Sequence, residues 1–338
     1  MQEAWAIREV NDEVIITSKQ LGVNNFIYYG GPGISKINKK PLNCYQIYKE
    51  IIEKLKSVDI NLVGVESGFF IDPYYWDVVS GGPKRDELIE DLIGQIRDMA
   101  RAGVSILGYS WMPLGPIRTE PLTIRGDASA TAFNEKSKNL ELAGKNSIKI
   151  QHSDEFPIND ILHLTSDMLW QNLEYWIKAV TPVAEEEGIR LGIHPDDPPV
   201  DNLGGVPRIM TNFDAFKRLI EIYPSDSNAI EFCQGTFSEM NENIYEMIRY
   251  FGERKKILYV HFRNVSAQVP KFQEEFINTG YVDMHKAMEI YHEVGFDGVF
   301  VDDHVPVGVN DTTWGHRGRA FANGYIQATI ESVKRNAK

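Results

Sequence analysis

Cysteine is scarce in this sequence. Only Cys44 and Cys233 occur among its 338 residues, so the fold does not rest on a framework of disulfide bridges. Intracellular proteins are kept reduced, whereas small secreted domains are rich in disulfides. The low cysteine content therefore predicts a reducing compartment.

Basic residues are also in deficit. The chain has 35 Lys and Arg against 48 Asp and Glu, which gives a formal net charge of −13. Proteins that bind nucleic acid generally present a basic face, and proteins that bind anionic membrane surfaces carry basic clusters. The charge argues against both classes. It does not exclude an anionic small molecule, because a metal ion or a few arginines can reverse the potential inside a cleft.

Long apolar runs are missing. No run approaches the roughly 20 residues that span a bilayer. The first residues, MQEAWAIRE, contain neither the basic start nor the apolar core of a signal peptide. These features predict a cytoplasmic protein without a membrane partner.

A dinucleotide-binding glycine motif is missing as well. Residues 29–33 (YGGPG) are rich in glycine, but their spacing differs from GxGxxG, and Pro32 has no backbone N–H to offer a phosphate. An open, doubly wound sheet therefore lacks its usual sequence mark.

The chain does contain an alternation of short apolar, β-branched runs with amphipathic helical patterns. Ile244, Met247, Ile248 and Phe251, for example, recur at the i, i+3, i+4, i+7 spacing of one helix face. Strands that alternate with helices form right-handed crossovers on a parallel sheet, and eight such strands predict a closed (β/α)8 TIM barrel. The eight predicted strands are Trp5–Arg8, Asn24–Tyr29, Leu62–Ser67, Ser105–Trp111, Arg190–His194, Ala229–Phe232, Ile257–Phe262 and Gly298–Asp302.

One long stretch interrupts this alternation. Residues 113–162 show little periodicity and are rich in Gly, Ser, Thr and Asn. A long irregular stretch in a compact domain usually forms a lid or a binding insertion. The sequence therefore predicts a single domain over residues 1–338, with an insertion after the fourth strand.

Residues that can carry chemistry follow the last four predicted strands. His194, Cys233, His261 and the pair Asp302-Asp303 stand at four successive strand ends. The carboxyl ends of TIM-barrel strands meet at the rim that holds the active site, and His, Cys and carboxylate groups are ligands for a divalent transition metal. The spacing predicts a metal site at this rim.

Each of these residues has a simpler explanation on its own. A lone cysteine at a strand end is more often a small buried apolar residue than a ligand, and Asp next to Pro is ordinary loop chemistry. The metal site is favoured because the four residues coincide at successive strand ends.

Arginines in nearby loops are candidates for binding an anion, because the planar guanidinium matches a carboxylate. The sequence offers Arg118, Arg263, Arg317 and Arg319 for this role, although each one singly is more often a surface residue. His316, in a turn rich in Gly and Arg, is a further candidate site residue.

Several of these segments together resemble the mannonate dehydratase family. The loop HPDDPP at residues 194–199 is similar to a specific signature of that family, and the similarity continues through FCQGT at 232–236 and VHFRNV at 260–265. The resemblance extends roughly from residue 24 to residue 326.

The resemblance implies a xylose-isomerase-like TIM barrel that dehydrates D-mannonate to 2-keto-3-deoxy-D-gluconate with a divalent metal, typically Mn2+. Carried over by position, it implies that His194, Cys233, His261 and Asp303 bind the metal and that His304 is a catalytic acid or base. Fe2+, Co2+ and Zn2+ suit the same types of ligand. Arg208, together with Arg118 and Arg263, would hold the carboxylate or hydroxyls of the sugar acid.

The sequence departs from the family pattern at two positions. Asp302 stands where the family has Pro, so Asp302 and Asp303 are alternative ligands and Asp302 is a candidate catalytic carboxylate. Trp314 stands near the position of the family's catalytic Tyr, and an indole N–H can donate a hydrogen bond but cannot act as an acid or base. Trp314 is then a candidate substrate contact, while His316 or a nearby tyrosine would take over the proton transfer.

Three functions stay open at this stage. The favoured one is a metal-dependent dehydratase of D-mannonate or a related sugar acid. The alternatives are a sugar isomerase or epimerase that uses the same metal site, and a sugar-acid-binding homologue without catalysis. The predicted partner is a small sugar acid, and a homodimer remains open.

Overall fold

A closed barrel of eight parallel strands organises the chain. The computed structural model describes residues 1–30, 43–67, 73–140 and 163–337. Neighbouring strands pair in chain order, and the last strand pairs with the first, which closes the barrel. The predicted TIM barrel is confirmed. Its strands are β1 (Gln2–Ile7), β2 (Asn25–Tyr29), β3 (Asn61–Ser67), β4 (Ile106–Ser110), β5 (Arg190–His194), β6 (Asn228–Cys233), β7 (Ile257–His261) and β8 (Val299–Val301).

Helices connect successive strands, and local sequence explains where they begin and end. The longest helix starts after Thr165, whose side chain accepts a hydrogen bond from the backbone N of Met168 at 3.2 Å, and stops at Gly188 with a left-handed φ of 69°. The helices are α1 (Asp12–Leu21), α2 (Cys44–Lys56), α3 (Trp76–Ser80), α4 (Arg85–Ala102), α5 (Ser166–Glu187), α6 (Phe213–Ile222), α7 (Gln234–Glu239), α8 (Ile244–Glu253), α9 (Met284–Glu293) and α10 (His316–Asn336).

The helices bury the faces that their periodicity indicated. On α8, Ile244, Met247, Ile248 and Phe251 are all at most 4% exposed. Burial of such an apolar stripe supplies most of the stability of a helix in a globular protein.

Inside the barrel, a glycine on one strand makes room for larger side chains from two other strands. Gly108 on β4 leaves room for Glu231 on β6 and Tyr259 on β7, because a Cβ atom at position 108 would collide with both side chains. This glycine lets two polar groups reach the barrel interior, just below the rim.

The stretch predicted as an insertion has short strands in the part that the structure describes. Residues 132–134 pair antiparallel with residues 271–273 in the loop after β7, and residues 122–123 pair with 129–130. Residues 141–162 lie outside the described residues, so the lid over 113–162 stays a prediction.

None of the helices in the described residues is long and apolar enough to cross a membrane.

Candidate metal and catalytic site

Three strand ends bring together the donor atoms of His194, Cys233 and His261. One donor atom from each residue lies within 4.8 Å of the other two. The three residues are at most 9% exposed. The convergence that the spacing predicted is therefore present in the fold, at the carboxyl ends of β5, β6 and β7.

Local hydrogen bonds orient two of these side chains. Nδ1 of His194 lies 2.6 Å from the carbonyl oxygen of Pro195, and this contact leaves Nε2 as the free ligand atom. Cys233 caps α7, because its Sγ accepts hydrogen bonds from the backbone N of Thr236 at 3.5 Å and from its hydroxyl at 3.2 Å.

Asp303 lies beside the same group. Its Oδ2 is 3.5 Å from Nδ1 of His261 and 4.0 Å from Sγ of Cys233. The backbone of Asp303 has a φ of 43°, in the left-handed region that non-glycine residues seldom adopt. Such strain persists where the surrounding structure imposes it, and it is common at functional sites.

The electrostatics of the group favour a thiolate. Burial alone raises the pKa of the Cys233 thiol, but the Arg263 guanidinium and His194 outweigh burial and lower that pKa to about 5. Burial lowers the pKa of His194, but Cys233 more than compensates and raises it to about 10. The ionised thiol is the form of cysteine that binds metals.

These residues fit a divalent transition metal. Nδ1 of His261 is buried and makes no hydrogen bond to any described residue, which is expected of a ligand atom that faces a cation. The set of two imidazoles, one thiolate and one carboxylate suits such an ion.

A second group of acidic and phenolic side chains surrounds the other face of His261. Nε2 of His261 lies 2.9 Å from the hydroxyl of Tyr29, 3.2 Å from Oε2 of Glu66 and 3.3 Å from Oε1 of Glu231. Glu231 is fully buried, and neither of its carboxylate oxygens accepts a well-formed hydrogen bond from the described residues. Burial and the neighbouring Glu66 raise its pKa well above the usual value.

Sequence reasoning did not select these three residues, although a signal for each was present. Tyr29 and Glu66 stand at the carboxyl ends of β2 and β3. The carboxyl ends of all eight strands meet at the active-site rim, so the argument made for the last four strands also predicts these two residues. Glu231 is two residues before Cys233 on one strand, and this spacing places both side chains on the same face.

Side chains of both groups, with the exception of the buried Cys233, border one cavity at the carboxyl ends of the strands. Its volume is about 470 Å³, in the usual range for a small-molecule site. The polar residues along its wall include Arg8, Tyr29, Glu66, His194, Asp197, Glu231, His261, Asp303 and His304.

The three candidate catalytic residues lie in different places. His304 borders the cavity, with Nδ1 3.0 Å from Oε1 of Glu274 and Nε2 3.8 Å from Oδ1 of Asp303. Asp302 is buried beside Arg319, at 3.1 Å from its Nη1, and is not among the described residues that border the cavity. His316 borders a neighbouring cavity, where its ring packs edge-on against Trp5.

The arginines that the sequence offered for an anion are already paired. Arg263 is 1% exposed and binds Asp197, Glu239, Glu274 and Asp303 at about 3 Å. Arg118 donates to Asp197 and to Glu274.

Arg208 and Arg319 also have partners inside the protein. Arg208 is buried, 3.4 Å from Oδ1 of Asp196, and donates to the backbone oxygen of Gly115 at 2.6 Å. Arg319 pairs with Asp302 and donates from Nε to the backbone oxygen of Trp314 at 2.7 Å.

Trp314 borders the neighbouring cavity together with His316 and is not among the described residues that border the first cavity. Its Nε1 donates to the backbone oxygen of Ala6 at 3.0 Å. Arg8 and Arg319 stack on the indole at 4.4 and 4.0 Å, and Tyr29 packs edge-on against it at 6.2 Å. The indole therefore contacts Tyr29, whose hydroxyl is in the cavity.

Comparisons with known proteins show the family of this chain. A family model described as D-mannonate dehydratase (UxuA) matches residues 38–338. The chain belongs to the D-mannonate dehydratase family. It is 32% identical to mannonate dehydratase 2 of Halalkalibacterium halodurans over 270 residues, which cover 76% of each protein.

Solved structures support the same family and the same fold. The crystal structure of mannonate dehydratase from Streptococcus suis serotype 2 matches with a TM-score of 0.86 at 26% identity, over 100% of this chain and 94% of that one. A xylose isomerase domain protein from Planctomyces limnophilus matches with a TM-score of 0.59 at 11% identity, over 99% and 98% of the two chains. The latter similarity shows the fold alone and confirms a xylose-isomerase-like barrel.

In this member of the D-mannonate dehydratase family, different residues of the HPDDPP loop face the candidate metal donors and the protein interior. Asp196 accepts hydrogen bonds from the backbone N of Ile209 and Met210 at 3.0 and 2.8 Å, and so ties the loop to the segment before α6. Asp197 pairs with the two buried arginines, Arg118 and Arg263. Only His194 of this loop contributes to the group of three metal donors.

Proposed function

We propose that this protein is a metal-dependent sugar-acid dehydratase that converts D-mannonate to 2-keto-3-deoxy-D-gluconate and water. The observation that carries the proposal is the group of donor atoms from His194, Cys233 and His261, of which the two histidines border the cavity, in a chain of the D-mannonate dehydratase family. A cytoplasmic location, a homodimer and the absence of nucleic-acid partners remain predictions from the sequence.

His194, Cys233, His261 and Asp303 would hold the metal, with Mn2+ as the first choice and Fe2+, Co2+ and Zn2+ as alternatives. When bound, a divalent cation supplies positive charge that stabilises the negative charge developing on oxygens of the substrate.

His304 is the residue we assign to proton transfer. Dehydration removes a proton from the carbon next to the carboxylate, and a second proton must reach the departing hydroxyl. Glu274 engages Nδ1 of His304, so Nε2 is the atom left to exchange a proton with the substrate. The side chain is 39% exposed, which allows it to exchange that proton with solvent afterwards.

Tyr29 is the second group that we place against the substrate. Burial and the nearby Glu66 and Asp303 raise the pKa of its phenol well above 10, so the hydroxyl keeps its proton at neutral pH. It can therefore donate a hydrogen bond to a substrate oxygen. Trp314 stands near the position of the family's catalytic Tyr, and Tyr29 would supply a phenol to the site in its place.

The test is an assay of purified protein loaded with Mn2+ on a panel of aldonic acids, with formation of the 2-keto-3-deoxy acid as the readout. We expect turnover of D-mannonate, and loss of turnover after chelation that returns when Mn2+ is restored.

Two other outcomes would replace the proposal. Conversion of neutral aldoses or ketoses, with no reaction of any aldonic acid, would indicate an isomerase or epimerase. Binding of sugar acids without turnover of any of them would indicate a binding protein that has retained the barrel.

A further inference from the structure

The cavity presents an electrostatic problem to an anionic substrate. Carboxylates of Glu66, Asp197, Glu231 and Asp303 border it, so a sugar acid brings a further negative charge into an acidic space. Charges in such a cleft interact strongly because little water screens them. Besides the divalent cation that the site would hold, a cationic side chain that the protein has not already neutralised would favour the binding of a carboxylate here.

Arg263 and Arg118 cannot supply that group. Arg263 uses Nε, Nη1 and Nη2 for protein acceptors, which include carboxylates at 2.9 to 3.0 Å. Arg118 uses both of its terminal nitrogens in the same way. These two guanidinium groups compensate the buried carboxylates, and neither borders the cavity among the described residues.

Arg8 is different. It is the residue after β1, so it belongs to the same rim as the metal-ligand candidates. It borders the cavity and is the only arginine among the described residues that does so. No carboxylate of the described residues lies within ion-pair distance of it, and its side chain is exposed.

The indole of Trp314 supports this guanidinium. Arg8 stacks on the ring at 4.4 Å. The ring itself is held by its hydrogen bond to the backbone oxygen of Ala6 and by stacking with Arg319 at 4.0 Å. Stacking on an aromatic face holds an arginine while its N–H groups stay available for an acceptor. Trp314 is therefore a positioning residue in this arrangement.

We infer that Arg8 binds the carboxylate of the sugar acid and gives the cavity its preference for acids over neutral sugars. The identity of that acid as D-mannonate rests on the proposed function. The role of Arg8 can be tested without turnover, because the affinity of the protein for the sugar acid measures it directly.

The experiment measures binding by calorimetry in a His304→Asn background loaded with Mn2+, where we expect little turnover. D-mannonate is titrated into this parent and into the same protein with Arg8→Lys or Arg8→Gln. We expect Arg8→Gln to weaken the affinity for D-mannonate by about ten- to a hundredfold, because a hydrogen-bonded charge is lost. The affinity of Arg8→Lys should lie between those of Arg8→Gln and the parent. The binding of D-mannitol, which has the same carbon chain without the carboxylate, should not change.

Arg254→Gln is the matched control. This guanidinium also stacks on an aromatic ring, that of Tyr250 at 3.6 Å, but it lies three residues before β7, at the other end of the barrel. Its loss should leave the affinity for D-mannonate unchanged, and all variants should keep the metal content of the parent.

An unchanged affinity of Arg8→Gln for D-mannonate would overturn the inference, as would an equal loss of affinity for D-mannitol. The two proposals fail separately. A wild-type protein that binds D-mannonate without dehydrating it refutes the proposed function and leaves the role of Arg8 measurable. A parent that does not bind the acid refutes the role of Arg8, while turnover of D-mannonate by the wild type decides the proposed function separately.

Discussion

The Nε of Arg263 donates a hydrogen bond to Oδ2 of Asp303 across 2.9 Å. The same oxygen lies near His261 and Cys233, so one carboxylate connects the buried arginine to the metal-ligand candidates. Arg263 also pairs with Glu239. The orientation of Asp303 therefore depends on a network of buried charges, in which loss of one partner leaves the others uncompensated.

The two adjacent aspartates should respond differently to substitution. We expect Asp303→Asn to weaken metal affinity by at least about tenfold, because even changes to outer-shell partners of a ligand cost about 10- to 100-fold. Asp302→Asn should keep the metal and lose stability instead, since Asp302 pairs with Arg319. Metal titration and urea unfolding of both variants check this. Loss of metal in Asp302→Asn alone would reverse the assignment.

Each of the two cysteines serves as a control for the other. Cys233→Ala should abolish stoichiometric metal binding, whereas Cys44→Ala, which removes a buried thiol next to Gln95 on α4, should retain it. Elemental analysis after loading with Mn2+ gives the readout. Cys233→Ala also loses the cap of α7, at a cost of about 1 kcal/mol, so its unfolding should be measured in parallel. Equal metal content in both variants would contradict the ligand set.

Substitution of His304 should separate chemistry from metal binding. We expect His304→Asn to retain the metal and to lower kcat by about 10²- to 10⁴-fold, the usual contribution of a general acid or base. His285→Asn, on the exposed face of α9, is the control and should behave as wild type. A normal kcat for His304→Asn would show that another group transfers the proton.

Trp314→Phe tests whether the indole takes part in the reaction or only positions its neighbours. The variant loses the hydrogen bond to Ala6 and part of the stacking with Arg8, which together stabilise by about 1–2 kcal/mol. We expect lower stability and a higher KM with kcat close to that of wild type. Trp314→Tyr is the comparison variant. A fall in kcat as large as that of His304→Asn would mean that the indole contacts the reacting atoms.

The stability of the protein should depend on pH through Glu274. Burial raises the pKa of this carboxyl, but Arg263, His304 and Arg118 outweigh burial and lower the pKa to about 2, from 4.5. A carboxyl whose pKa is lowered by folding stabilises the folded state at pH values above its unfolded pKa. This contribution is lost as the pH falls from about 4.5 to about 2. At neutral pH it amounts to on the order of 3 kcal/mol.

Glu274→Gln is therefore expected to be less stable than wild type at pH 7, and the difference should shrink as the pH falls through that range. Urea unfolding as a function of pH measures it. Glu275→Gln, whose carboxylate accepts hydrogen bonds from the neutral groups of Gln273 and Thr279, is the control. A difference between wild type and Glu274→Gln that does not vary with pH would contradict the assignment.

The barrel could be predicted from the sequence because its signals are local. A buried strand needs only a short apolar run with turn residues at its ends, and each of the eight predicted runs overlaps a barrel strand. His194, Cys233 and His261 could be selected for the same reason, since topology alone brings the ends of parallel strands to one rim.

The partners of the charged side chains could not be predicted in this way. Asp302 and Asp303 are neighbours in sequence, but one lies against Arg319 and the other beside His261, and the left-handed backbone at Asp303 accompanies this divergence. Arg263 and Arg8 are both arginines near strand ends, yet one is neutralised by carboxylates from several loops and the other has none.

Local pattern therefore determined the elements, their order and the residue types at the rim of this protein. Tertiary structure alone decided which charges are paired and which face the cavity. The physical reason is that an ion pair depends on a distance of a few ångströms between residues far apart in the chain, as with the 156 positions between Arg118 and Glu274. Periodicity carries no information about such a distance.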